Sequence, residues 1–251
     1  MTSLLDSDAP TAPADLPVVL STLDPASAAA AYDDLGLERL ADAALVSAAA
    51  HVVDRPKAAA PDSFVLHAPL ELMARSALLG RVAPEDRHPA RRRLVWFAAT
   101  YAAAGESAVV DGRFADTPAA TVAAALVSAV GDGDLEAAGA AGRALARSVP
   151  PAELVALLVD LVAPSLAAAA HGGIWLHQIL SFAGAPVAPG AAAMARELAR
   201  HPEWQLTWFA EAPAGAGSDR VSSVDDLIRA LSPPPSPGPL EVNFIYPTMH
   251  L

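Results

Sequence analysis

Hydrophobic residues recur every three or four positions along most of this chain, which is the spacing of one face of an α-helix. In the segment 36–54, GLERLADAALVSAAAHVVD, that face carries Leu37, Leu40, Ala44 and Ala48. Sustained alternation of apolar and polar residues, the pattern of a half-buried strand, does not occur. Alanine, which has the highest helix propensity, is abundant throughout. The pattern therefore predicts an all-α protein.

Proline, glycine and aspartate divide the pattern into segments at the places where helices usually begin and end. The predicted helices cover approximately 26–34, 36–54, 63–80, 89–104, 118–130, 134–148, 151–163, 165–183, 189–201 and 223–231. Some of these segments are short, and Pro164 interrupts what is otherwise one long apolar run. We expect a single compact bundle of about eight or nine helices.

The two ends of the chain differ in composition from the middle. Residues 1–16 are acidic where a secretory signal would be basic and apolar, which indicates a disordered leader and a cytoplasmic protein. The helical domain then covers 17–231, and 232–251 combine a proline-rich linker with an apolar tail, LEVNFIYPTMHL. We expect this tail to dock on the body of the bundle.

Composition excludes several classes of function. A net charge of −12 argues against nucleic acid or an anionic membrane as a partner, and the one basic cluster, Arg91 to Arg93, is expected to be a solvated face. The absence of cysteine excludes disulfides, thiolate metal sites and a cysteine nucleophile. Residues 161–195 lack Asp, Glu, Lys and Arg, but their Ala, Gly, Pro and His content favours buried helices over a membrane span.

Four of the seven histidines, His51, His67, His171 and His177, fall within apolar helical segments. Phosphate-binding loops of the GxxxxGK[ST] type and GxSxG elbows are missing from the sequence, so these histidines are the main candidates for chemistry. Buried imidazoles are costly unless each one is hydrogen-bonded, paired or bound to a metal. The set indicates either a shared pocket or ordinary core histidines that donate to backbone carbonyls.

Glu71 lies four residues after His67, about 6 Å along a helix and on nearly the same face, so both side chains could bind one ion. Glu71 also lies four residues before Arg75, and a plain surface ion pair is the simpler interpretation.

His171 and His177 are six residues apart, which on a straight helix separates them by about 120° of rotation and about 9 Å. Two explanations remain open for sharing a site. Gly172 and Gly173 bend or unwind the helix, or only one of the two histidines is a ligand and the other supports it.

Aromatic residues could line a pocket for a flat substrate. Trp96, Trp175 and Tyr246 are the candidates, although large aromatic side chains are more often part of a plain core. The tail that carries Tyr246 either covers such a pocket or packs on the outer surface of the bundle.

Two short motifs resemble signatures of the questin oxidase-like family, in which a His-Gly-Pro segment precedes a helix ending at Leu-Gly and a second helix carries His-Gly-x-Ile. The matching positions are His67, Pro69, Ala77, Leu78 and Gly80, with Ala68 in place of glycine, and then His171, Gly172 and Ile174. The resemblance covers about 30 residues. It implies an α-helical oxygenase that oxidises or cleaves aromatic polyketide rings with O₂ at a non-haem iron held by histidines.

Together these observations favour a histidine-ligated, metal-dependent oxidoreductase of secondary metabolism acting on a small aromatic or polyketide-like molecule. The proposed ligands are His67 and His171, followed by His51; Glu71 and His177 are the proposed catalytic side chains, each also a candidate ligand. The alternatives are a non-catalytic helical binding or scaffold protein and a metal-free acid/base cyclase or isomerase that uses the same histidines. A homodimer is one expectation for the oligomeric state.

Overall fold

The structure, a computed structural model, describes residues 16–34, 36–58, 63–108, 112–167, 171–182 and 184–204. These residues form ten α-helices and one 3₁₀ turn, Leu37–Arg39. The α-helices are α1 Leu16–Thr22, α2 Pro25–Asp34, α3 Asp42–Val53, α4 Ser63–Leu79, α5 Pro84–Ala103, α6 Ala119–Gly131, α7 Leu135–Ser148, α8 Pro151–Val162, α9 Gly172–Ser181 and α10 Val187–Arg200. The all-α prediction is confirmed, and the described residues form no strand, although they include an isolated bridge between Lys57 and Ser107.

Several helices differ from the prediction. Helix α1 was not predicted, because seven residues are too short for a clear periodic pattern. Helix α5 begins at Pro84 rather than near Pro89, since proline is favoured at the first helical position and Glu85 and Asp86 suit the positive end of a helix dipole. The predicted helix 223–231 and the docked tail lie outside the described residues.

The predicted helix 36–54 is also wrong as a single element. After the 3₁₀ turn, Leu40 and Ala41 are extended, and α3 begins only at Asp42. At this break, Arg91 of α5 donates to the carbonyl oxygens of Leu37 and Leu40 at 3.1 and 2.5 Å, which adds hydrogen bonds where the helical pattern is interrupted. Arg91 is therefore buried, and the expectation of a solvated face fails for this arginine.

Buried side chains form two clusters. The first is built from α1 to α5 and includes Tyr32 and Phe97, and the second comes mainly from α6 to α10 and includes Trp175. Helix α4 contributes to both, with Leu72 in the first cluster and Met73 in the second. This helix therefore lies between the two halves of the core. None of the described helices is both long and apolar enough to cross a membrane.

A partly buried ion pair joins the two halves. Asp54, the C-cap residue of α3, accepts hydrogen bonds from Arg143 and Arg147 of α7, each at 2.7 Å. Arg143 also donates to the Asp54 carbonyl oxygen at 2.7 Å, and its side chain is only 6% exposed. A buried guanidinium charge destabilises the fold unless a carboxylate is paired with it.

Helices α7 and α10 pack closely through small residues. A Cβ atom on Gly142 would lie 2.6 Å from the carbonyl oxygen of Ala191, and one on Gly139 would lie 2.9 Å from Cγ of Arg196. A backbone oxygen cannot move aside as a flexible side chain does. Residue 142 must therefore be glycine for the two helices to pack at this distance.

We predict that Asp54→Asn lowers the free energy of unfolding by about 3–5 kcal/mol, because it leaves the Arg143 charge buried without its partner. Asp33→Asn is the matched control, since Asp33 pairs with Arg92 and His88 at an exposed site and should cost less than about 1 kcal/mol. Urea unfolding followed by circular dichroism measures both values. A similar decrease in the free energy of unfolding for both variants would show that the Asp54–Arg143 ion pair stabilises the protein no more than an exposed pair does.

We predict that Gly142→Ala destabilises the fold by about 1–3 kcal/mol, because the added methyl group forces α7 and α10 apart. Gly131→Ala is the control: Gly131 ends α6, and a Cβ atom there would meet nothing within 4 Å. Its replacement should be neutral or stabilising by up to about 1 kcal/mol. Equal midpoints for the two variants in urea unfolding would contradict the close packing.

Candidate functional site

The structure brings His67 and His171 together. His67 lies on α4, His171 precedes α9, and their ring centroids are 5.6 Å apart with the planes inclined at 76°. Both side chains are partly buried. Two imidazoles distant in sequence thus meet where α9 packs on α4, and they form the best candidate for a reactive site among the described residues.

The first turn of α9 places His171. His171 is the N-cap residue of α9, and its carbonyl oxygen accepts from the Trp175 N–H at 3.1 Å. The predicted helix over 165–183 is not continuous, because Ser165, Leu166 and His171 are not helical and α9 begins at Gly172, while 168–170 lie outside the described residues. A Cβ atom on Gly172 would lie 2.4 Å from Cγ1 of Val162. This glycine is required by the contact between α8 and α9.

The other predicted polar residues lie in different surroundings. His51 is exposed in the last turn of α3, and His177 lies six residues after His171 with its Nε2 at 3.4 Å from the Ser181 hydroxyl. Glu71 accepts from Arg75 Nε at 2.7 Å and also pairs with its Nη2. The simpler interpretation of Glu71 as part of a Glu–Arg pair therefore describes its contacts.

The two predicted aromatic residues that the structure describes, Trp96 and Trp175, lie in different surroundings. Trp96 is 38% exposed and lines a surface groove of about 520 Å³ between α4 and α5, where the guanidinium of Arg93 lies 5.2 Å from its ring. Trp175 is 3% exposed and belongs to the core beside α9. Tyr246 lies outside the described residues.

Gln178 is a polar residue that was not among the predicted site residues. It follows His171 by seven positions and Trp175 by three, so the three residues lie on one side of α9. Within the described chain, Gln178 Oε1 and Trp175 Nε1 are buried without a hydrogen-bond partner. Buried polar atoms are usually hydrogen-bonded, so a ligand or a water molecule that bonded to these two atoms would be stabilised here. The seven-residue spacing could have identified Gln178 from the sequence.

No group of three or more His, Asp or Glu side chains in the part of the chain that the structure describes is arranged to hold a metal ion. His67 and His171 would supply two imidazole ligands. A typical non-haem iron site uses two histidines and one carboxylate. The carboxylate expected here, Glu71, is engaged by Arg75.

Comparisons of the chain with protein-family models, with curated proteins and with solved structures find no match. The functional argument therefore rests on the residues of the site.

We predict that Gly172→Ala displaces α9 from α8 and moves His171, because a side chain at 172 overlaps Val162. The expected cost is about 1–3 kcal/mol of unfolding free energy, together with changed imidazole chemical shifts for His67 and His171. Two-dimensional NMR of the histidine ring protons provides the second measurement, and Gly131→Ala is again the control. Unchanged histidine shifts would contradict the role of Gly172 in placing His171.

Proposed function

We propose that this protein is a metal-dependent oxidoreductase that acts on a small aromatic or polyketide-like molecule, with His67 and His171 as ligands of a transition-metal ion. The observation that supports the proposal is the approach of the two imidazole rings to 5.6 Å. The resemblance of the segments around both histidines to the questin oxidase-like family agrees with the same chemistry. Imidazole is a suitable ligand for iron, copper and zinc.

The ring separation suits a shared ion. Metal–nitrogen distances of about 2.1 Å place the centroids of two adjacent imidazole ligands about 5 Å apart. The observed 5.6 Å differs from this by an amount that small side-chain rotations would remove. The described residues thus fit two positions of a metal site, and the other positions would be left for water, substrate or further ligands.

The chain's own side chains would prepare the site in three ways. His67 is fixed on α4 between the two core clusters, and His171 is fixed by the start of α9. Trp175 excludes water on the side of α9 that faces the core. The buried amide oxygen of Gln178 would accept a hydrogen bond from a hydroxyl group of the substrate. The ion, when bound, would supply O₂ binding or polarise an oxygen of the substrate.

A metal-free acid/base enzyme is the second candidate, because the described residues offer two imidazoles and no third ligand grouped with them. In that case one neutral imidazole would accept a proton from the substrate and the other, when protonated, would return one. This pair would suit isomerisation or cyclisation of an apolar molecule in the same place.

Metal titration of the full chain tests the leading proposal. We expect Co²⁺ to bind with one-to-one stoichiometry in calorimetry and to give visible absorption bands, and Fe²⁺ to raise the unfolding temperature. His67→Ala and His171→Ala should each weaken Co²⁺ binding at least about a hundredfold, because each removes a direct ligand. His51→Ala, which removes an exposed histidine, should leave binding unchanged.

The proposal fails if wild type and His67→Ala bind Co²⁺ equally, or if neither binds while both stay folded by circular dichroism. The acid/base candidate then has its own probe, the base-promoted ring opening of 5-nitrobenzisoxazole. Acceleration that is lost in both His67→Ala and His171→Ala and kept in His51→Ala would support it. Equal rates in all variants would leave a non-catalytic binding protein as the better description.

A further inference from the structure

A second polar site lies on the other side of α4. A cleft with a cavity of about 50 Å³ is formed where α4 meets α5, α7 and α10, and its wall includes Val65, Leu66 and Pro69 of α4. Val65 and Pro69 lie about 160° around the helix from His67, and Leu66 lies about 100° from it. The cleft is therefore separate from the histidine pair.

Charged side chains in this cleft are mainly basic. Its lining includes four cations and two anions, namely Lys57, Arg143, Arg196 and Arg200 with Asp54 and Glu197. The whole chain has 16 basic and 28 acidic residues, so a local excess of two positive charges opposes the general balance. Lys57, Arg143 and Glu197 are each less than 9% exposed. Because the cations of the cleft outnumber its anions by two, these charges favour an anionic ligand.

Three arginines of the cleft have guanidinium N–H groups that are not used in hydrogen bonds with the described residues. Arg143 uses Nε and Nη2 for Asp54, Arg196 uses Nη1 for Glu136 and the Leu135 oxygen, and Arg200 uses Nε for Glu197. Nη1 of Arg143, Nη2 of Arg196 and both Nη atoms of Arg200 make no hydrogen bond to any described residue. Guanidinium N–H groups bind carboxylate and phosphate oxygens well.

Lys57, the single lysine of the protein, adds a cation whose hydrogen-bond partners among the described residues are backbone carbonyl oxygens. Its Nζ donates to the carbonyl oxygens of Ala102 and Gly105, each at 2.9 Å, and lies 5.0 Å from the centre of the Tyr101 ring. Burial lowers the pKa of Lys57 and raises the pKa of Tyr101 to about 12, so the phenol is neutral near pH 7 and does not balance the ammonium charge. A bound anion would provide that balance.

We infer that this cleft binds a small oxyanion, either free phosphate or sulfate or the carboxylate of a small molecule, between Arg143, Arg196 and Arg200. The cavity of about 50 Å³ exceeds the space needed for one water, about 10–15 Å³, and suits one such group. The site is independent of the proposed metal chemistry at His67 and His171.

Calorimetry of the full chain at constant ionic strength tests the site with three probes: inorganic phosphate, sulfate and acetate. At least one should bind with a Kd of about 1 mM or below. Arg196→Gln and Arg200→Gln should each weaken that binding about tenfold or more. Arg39→Gln, the matched control, removes an arginine whose side chain is 80% exposed and pairs with Glu38, and it should leave Kd unchanged. Thermal unfolding of the wild type provides a second measurement, in which the bound anion raises Tm more than chloride does.

Absence of saturable binding for all three anions in the wild type would overturn the inference. So would equal weakening in Arg196→Gln, Arg200→Gln and Arg39→Gln, since this would indicate non-specific attraction. His67→Ala should keep its affinity for the anion even where it loses Co²⁺, so the two proposals fail separately. Loss of anion binding in folded His67→Ala would show that the cleft is not an independent site.

Discussion

The ion pair between Asp54 and Arg143 is the constraint on which the arrangement of the two halves depends. It fixes the end of α3 against α7, and α3 and α7 belong to different core clusters. Apolar contacts alone permit sliding between helices, whereas hydrogen bonds to both the carboxylate and the carbonyl oxygen of Asp54 define one register. Helix α4, which contributes to both clusters, is held in place by this register.

The position of α4 explains why two polar sites can exist in so apolar a bundle. One side of the helix presents His67 to His171, and another side forms part of the cleft that contains Lys57 and Arg143. Each polar group lies where helices from both halves meet, and the small residues of α7 and α10 keep the neighbouring packing close. The polar side chains of both proposed sites therefore lie at the boundary between the two halves of the core.

The sequence was sufficient to predict the fold class, because helix propensity and hydrophobic periodicity depend on residues that are close together in the chain. Features that depend on distant residues were not predictable. The interruption at Leu40 is stabilised by Arg91, and the burial of Lys57 depends on carbonyl groups near the end of α5. The approach of His67 to His171 could be proposed from apolar surroundings, but the distance between them is a result of helix packing.

The contact of Gly172 with Val162 also affects how the protein opens locally. Because α9 starts against the last residue of α8 with no space for a side chain, neither helix can separate without exposing the other. Segments linked in this way commonly exchange their amide hydrogens as one cooperative unit. The amides of α9 that follow His171 would then exchange at the rate of the α8–α9 pair, so this helix would be as ordered as the second core cluster to which it contributes.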